Sequence, residues 1–325
     1  MTTSGTGTGI AETAARLAEV RAEVEKSVIG QRRAIDRVLT AMLAGGHALL
    51  EGVPGTGKTL MVQSLARAVG ARFGRISFTP DLMPADITGT NVFDRKSGEF
   101  QLVKGPIFCD LLLADEVNRT PPKTQSALLE AMQEGRATLD GVSYRISPVF
   151  TVLATQNPVE FEGTYPLPEA QRDRFRLKIT VDYPSAQEEG ELLRRAHAGR
   201  PANDLDLAGT KPVLSVEQFV AARAGVVAVR GAESVLDYVR DVVRATRNHD
   251  AVRLGGGPRA SLALLLCSKA HALLAGRDYV NPDDVQALAP DVLGHRLLYR
   301  PEAEIEGVSV DDVLRDVLKS VEVPR

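Results

Sequence analysis

The sequence predicts an α/β fold built on a five-stranded parallel sheet and followed by an all-helical domain. Three observations carry that prediction. Five short apolar runs, "HALLE" (47–51), "RISF" (75–78), "CDLLLAD" (109–115), "FTVLAT" (150–155) and "RLKITVD" (176–182), are continuous rather than alternating, as in strands covered on both faces. Helical patterns fall between several of them. After residue 212 helix-start signals recur and no strand pattern follows.

Taken in order, residues 1–9 are almost entirely Thr, Ser and Gly and are expected to be disordered. Ala14, Leu17, Val20 and Val24 then recur at helical spacing from Ile10. A second helix is expected from Gln31 to Ala44, with Ile35, Val38, Leu39 and Met42 on one face and Gly45-Gly46 ending it. Helices at Lys58–Val69 and Pro121–Gln133 follow the first and third strands. Two insertions read as hairpins: 90–105, turning at Lys96-Ser97-Gly98, and 136–147, turning at Asp140-Gly141. Neither is needed to complete a sheet, so both are expected to project.

Ser185-x-x-Glu188 and Ser215-x-x-Gln218 are capping boxes, and Ser309-x-x-Asp312 is a weaker version. Asn281-Pro282-Asp283-Asp284 puts a cap, a first-turn proline and two acids at one helix start. The expected organisation is a disordered 1–9, an α/β domain over 10–199, a Gly- and Pro-rich linker at 200–212 and a helical domain over 213–325.

Composition narrows the function classes. With 44% hydrophobic and 25% charged residues in 325, the chain can bury cores for two domains. A net charge of −3 argues against a broadly basic, nucleic-acid-coating surface. No apolar run approaches the roughly 18 residues that span a bilayer. The start "MTTSGTGTGI" lacks the features of a signal peptide, so cytoplasmic residence without membrane insertion is expected. Cys109 and Cys267 share no metal or redox spacing and are expected to be buried thiols.

The chemistry begins at "GVPGTGKT", Gly52, Val53, Pro54, Gly55, Thr56, Gly57, Lys58 and Thr59, between a strand and a helix. Glycines let several amide N–H groups point at phosphate oxygens, and the helix N-terminus adds partial positive charge. Lys58 is placed to reach the β- and γ-phosphates of a nucleotide, and the Thr59 hydroxyl to ligate Mg²⁺, although a P-loop alone does not distinguish a kinase, a GTPase or a motor. "LLLADE" ends an apolar strand in two acids, poor packing unless they stand at the sheet's carboxyl edge, where ligands bind. Asp115 is then expected to hold Mg²⁺ through its water shell, and Glu116 to polarise the attacking water. "LATQNP" puts Asn157 at the same edge, either on the water and γ-phosphate or simply making the turn before Pro158.

The ordered set "GVPGTGKT", "LLLADEVNR", "LATQNP", "YPLPEAQRDRF" and "GGGPRASLAL" resembles the AAA+ ATPases and, within them, the MoxR family. The likeness runs from "VIGQ" (28–31) to "HRLLYRP" (295–301). It implies a P-loop AAA+ module with a helical lid and assembly into a ring, commonly a hexamer, with ATP between subunits. By resemblance Lys58 and Thr59 are Walker A residues, Asp115 and Glu116 Walker B, Asn157 sensor 1 and Arg259 sensor 2. Arg174, in "DRF", matches the arginine finger that reaches a neighbour's nucleotide, with Arg172 as the alternative. The segment also precedes the last strand, away from the chain's own P-loop in the expected sheet order. The two hairpins resemble the helix-2 insert and the pre-sensor-1 hairpin, which face a pore or a client.

The resemblance further implies a chaperone-like remodeller of a client protein, paired with a protein carrying a von Willebrand factor A domain. The motor subunit of a magnesium chelatase is an alternative from neighbouring families. A nucleic-acid-stimulated motor is another, with Arg95, Lys96, Lys104 and Arg145 lining a pore, although the mild acidity disfavours nucleic acid as a partner.

Overall fold

The structure is a computed structural model and describes residues 5–96, 98–156, 164–199 and 210–324. The chain opens with α1 (Gly5–Glu25) and α2 (Arg32–Leu43). Then come β1 (Ala48–Glu51), α3 (Lys58–Ala68), β2 (Phe73–Ser77) and the short α4 (Pro84–Thr88). The first hairpin is β3 (Gly89–Asp94) and β4 (Glu99–Lys104), followed by β5 (Leu111–Asp115), a 3-10 turn at Val117–Arg119 and α5 (Pro122–Glu134). The second is β6 (Arg136–Leu139) and β7 (Val142–Arg145). The α/β part ends with β8 (Thr151–Gln156), α6 (Glu169–Arg172), β9 (Leu177–Thr180) and α7 (Ala186–His197). The remainder holds α8 (Val216–Ala228), α9 (Glu233–Ala245), β10 (Val252–Leu254), α10 (Pro258–Leu274), α11 (Pro282–Leu293), β11 (Leu298–Tyr299), α12 (Pro301–Ile305) and α13 (Val310–Ser320).

The five core strands form one parallel sheet in the order β2-β5-β8-β1-β9. Their continuous apolar runs are explained by two packed faces. Leu111 and Leu113 enter one core with α1, α2 and α3, while Leu112 and Ala114 enter the other with α5. The first of these cores is continuous with the helices of the second half, through Leu264, Val285 and Leu288 among others. No helix among the described residues is long and apolar enough to cross a membrane. Cys109 and Cys267 are unpaired and buried, and burial pushes the thiols up to about 12 and about 11.

Both insertions are antiparallel hairpins that pair outside the main sheet. The second turns through Asp140 and Gly141 at φ 47° and 81°, both in the left-handed region that suits the twist of a two-residue connection. Ser97, in the first turn, lies outside the described residues. A hydrogen bond from Asn91 Nδ2 to Asp140 Oδ2 (2.5 Å) ties the first hairpin to the turn of the second.

Three expectations need correction. Helix α1 begins at Gly5, so the stretch expected to be disordered is helical from that residue on. Residues 5–9 are Gly and Thr alone, weak helix formers with no apolar residue to create a periodic signal. The second half is not free of strands: β10 and β11 pair antiparallel, but with three and two residues they are too short to show a period. Finally, β9 is hydrogen-bonded directly to β1, so sheet order does not separate the "DRF" segment from the P-loop. Strand direction does. Leu177 pairs with Ala48 at the amino edge and Thr180 with Glu51 at the carboxyl edge, about 10 Å apart along the strands. Of the expected linker, residues 200–209 lie outside the described residues. Thr210 is buried and shares a hydrogen bond with Ser27 Oγ (2.9 Å).

Candidate active site

At the carboxyl edge of the sheet a cleft of ≈ 580 Å³ opens over β1, β5 and β8. The loop from Gly52 to Thr59 forms its floor. Gly55 and Gly57 hold φ of 84° and 79°, which lets the loop curl back over the first turn of α3. Gly52 is needed for a different reason: a β-carbon there would stand 2.2 Å from the Val181 carbonyl oxygen beyond β9. Helix α3 starts with no side-chain cap, so its first amides remain available to the cleft.

Lys58 Nζ donates to the carbonyls of Gly52 (2.8 Å) and Val53 (2.7 Å), folded back on its own loop. Burial lowers its pKa, against the opposing pull of Asp115 and Glu116. A cation held this way, beside two carboxylates and a row of amides, is suited to accept polyphosphate oxygens in place of the loop carbonyls.

The two acids end β5 and line the same cleft. Asp115 Oδ1 accepts from the Thr155 hydroxyl (2.7 Å), and Oδ2 pairs with Arg75 (2.7 Å) from β2. Thr155 is buried on β8, and its oxygen also accepts from the Glu116 amide (2.8 Å). Glu116 itself sits at φ 58°, ψ 48°, a left-handed conformation costing a non-glycine residue roughly 1–2 kcal/mol. Its carboxylate is a third exposed and meets Arg119 (3.0 Å). The single hydroxyl of Thr155 therefore spaces the two acids and anchors the strained one.

Other lining residues come from outside the motifs. Ser27, Val28 and Ile29 lie between α1 and α2, while Pro184 and Leu192 lie at and after the start of the α7 segment. Gln31 Nε2 donates to the Asp182 carbonyl (2.8 Å) and joins these two walls. The wall residues Val28 and Ile29 belong to the stretch "VIGQ"; Thr155, two residues before Asn157, was visible in "LATQNP", whereas nothing local marks Arg75. Asn157 lies outside the described residues.

The arginines are not in this cleft. Arg172 ends α6 and Arg174 follows it, at the amino edge of the sheet before β9. Arg259 stands in the first turn of α10, where its guanidinium pairs with Asp173 Oδ2 (3.1 Å). Arg296, buried in the 3-10 turn after α11, takes Asp173 Oδ1 (2.9 Å). It also donates to the backbone carbonyls of Asp173 (3.3 Å), Phe175 (2.5 Å) and Arg176 (3.1 Å). One face of the molecule thus carries the phosphate-type cradle with its acids, and another carries a cluster of guanidiniums.

Comparisons with known proteins agree with this architecture. Residues 47–177 match the ATPase family associated with various cellular activities (AAA), and residues 244–317 match the AAA lid domain. The chain is 48% identical over 301 residues to the uncharacterised protein YeaC of Bacillus subtilis (strain 168), covering 93% of this chain and 92% of that protein. It is 44% identical over 312 residues to chaperone MoxR1 of Mycobacterium tuberculosis, covering 93% and 81%. To protein MoxR of Paracoccus denitrificans it is 33% identical over 310 residues, covering 89% and 91%. The crystal structure of a proposed ATPase from Cytophaga hutchinsonii superposes with a TM-score of 0.88 at 40% identity, covering 97% of this chain and 96% of that one. With both domain models matched and named MoxR relatives 44% and 33% identical over most of its length, the chain belongs to the MoxR family of AAA+ ATPases.

Proposed function

We propose that this protein hydrolyses Mg-ATP at sites shared between adjacent copies in a ring, and that the resulting movements remodel a client protein. The observation that carries the proposal is the separation of the parts. The cleft holds a cradle and two acids, while Arg174 and Arg259 stand at the far edge of the sheet. A second copy docked with that edge against the cleft supplies what the cleft lacks.

In this reading Gly52 to Thr59 cradle the phosphates, Glu116 is the base that orients water, and Asn157 assists it. Arg174 is the finger, with Arg172 as its alternative, and Arg259 reaches the same neighbouring nucleotide. The donor set suits Mg²⁺: the Thr59 hydroxyl and the Asp115 carboxylate are hard oxygen ligands lining one cleft. Among the described residues no cluster of three His, Cys, Asp or Glu side chains offers a competing metal site. When bound, the ion would neutralise charge between the outer phosphates. Chaperone-type work is supported by the name of the Mycobacterium tuberculosis relative. A partner with a von Willebrand factor A domain is carried from the family resemblance.

The test is the ATPase rate per subunit against protein concentration. It should rise steeply through the assembly transition, because a finger is worth about 10³- to 10⁵-fold in rate. A rate independent of concentration across that transition refutes shared sites.

A further inference from the structure

The guanidinium edge holds more than a finger. In the chain Asp173 stands between Arg172 and Arg174, and its carboxylate pairs with two lid guanidiniums, Arg259 and Arg296. That carboxylate is one-third exposed and uses its two oxygens for two different lid elements: Oδ2 for Arg259 on α10, Oδ1 for Arg296 after α11. Arg296 is 3% exposed, and three of its bonds go to the backbone from Asp173 to Arg176. The next lid residue toward the N-terminus, His295, adds a bond from Nε2 to the Phe175 carbonyl (3.0 Å). The lid therefore grips the finger segment by its main chain, and Asp173 ties one further cation to that grip.

The geometry points to Asp173 as a positioning residue for hydrolysis on the neighbouring subunit. It holds Arg259 beside the segment bearing Arg174, so that the two guanidiniums are presented together. This rests on the shared-site reading above. Three features support it. Arg259 is more than half exposed on its side chain, and Asp173 is its ion-pair partner, so without Asp173 a flexible side chain would sample many rotamers. The two residues are 86 positions apart, so the contact exists only because the lid is docked. Arg172 and Arg174 flank Asp173 in the chain, cations complementary to a polyphosphate on another copy. Asp173 touches no nucleotide in this scheme; it acts through Arg259.

Asp173→Asn should leave nucleotide affinity at the chain's own cleft unchanged, because that cleft lies at the other edge of the sheet. Above the assembly concentration, kcat for ATP should fall about tenfold or more with KM held within about twofold. In an Arg259→Met background the same change should cost less than about twofold, since the residue it acts through is already gone. An equal cost in both backgrounds, or a folded Asp173→Asn ring with wild-type kcat, overturns the proposal. If the Asn variant orphans buried Arg296 and fails to fold, Asp173→Glu decides. It keeps the charge but moves it by one methylene, and a wild-type kcat there overturns the proposal equally.

Mixed rings separate this failure from failure of the shared site. Lys58→Ala subunits, with an intact guanidinium edge, are mixed with Arg174→Ala subunits, which have an intact cleft. Restored turnover is expected, and its loss is expected when the donors also carry Asp173→Asn or Asp173→Glu. If plain donors restore nothing, the shared site and this proposal both fall. If both kinds of donor restore turnover equally, only the role of Asp173 falls.

Discussion

Replacing Thr155 by valine removes one oxygen from the centre of the site while keeping shape and volume nearly constant. Two contacts are lost: the bond to Asp115 Oδ1 (2.7 Å) and the acceptor for the Glu116 amide (2.8 Å). Asp115 keeps its contact with Arg75 on the other oxygen, so the metal-side acid is only loosened. The Glu116 amide has no such substitute at this position. A buried N–H left without an acceptor costs about 1–3 kcal/mol, and Glu116 is already strained at φ 58°. If that energy is drawn from the productive geometry of Glu116, turnover should fall about 5- to 150-fold. Single-turnover hydrolysis at saturating ATP, above the assembly concentration, measures the effect, and a fluorescent-nucleotide titration should show unchanged affinity. Thr155→Ser, which retains the hydroxyl, should stay within about twofold of wild type. A folded Thr155→Val protein that hydrolyses at the wild-type rate, or that loses affinity instead of rate, refutes the idea that this hydroxyl sets Glu116.

Glu116→Gln should bind ATP with normal affinity and lose roughly 10²- to 10⁴-fold in turnover; unchanged turnover removes Glu116 as the base. Arg174→Ala should cost about 10³- to 10⁵-fold in assembled rings and Arg172→Ala far less, with the reverse order moving the finger to Arg172. Acid stability offers a test independent of activity. Burial, foremost, pushes His47 down to about 4; its Nε2 meets the Met132 carbonyl while Nδ1 accepts from the Val152 amide. A folded-state pKa below the ordinary 6.5 means the unfolded chain binds the proton first. The contribution is therefore complete above pH 6.5 and is lost as pH falls toward 4, roughly 3 kcal/mol in all. Urea midpoints between pH 7 and 4 should show the decline, and His47→Gln should flatten it; an equal decline in both proteins excludes His47 as a source.

What could be read from the sequence was chemistry carried by contiguous residues. "GVPGTGKT" and "LLLADE" each contain the strand end and the functional groups together, so local pattern was enough to place them in one cleft. The hairpins were legible for the same reason, as their turn residues lie between two strand-like runs. Contacts across the sheet were not. Arg75 meets Asp115 only because β2 happens to lie beside β5, and no local signal states which strands are neighbours. The same ignorance of sheet order gave the right separation of Arg174 from the P-loop for the wrong reason. Arg259 was legible as a motif residue, yet its bond to Asp173 depends on how the lid docks, which is a property of the whole first core. Strands β10 and β11 escaped because neighbours, rather than propensity, hold such short segments extended.

The bond between Asn91 and Asp140 gives the two projecting hairpins a shared hinge line. A tilt of either one strains or breaks that bond, so a spectroscopic label placed beside it on one hairpin senses the other. By the same token, an affinity tag spliced into the Asp140-Gly141 turn would disturb the first hairpin too, where Phe93 and Phe100 stack edge to face on exposed strands. Anyone deleting one hairpin to ask what it grips is therefore also removing a bond from its companion.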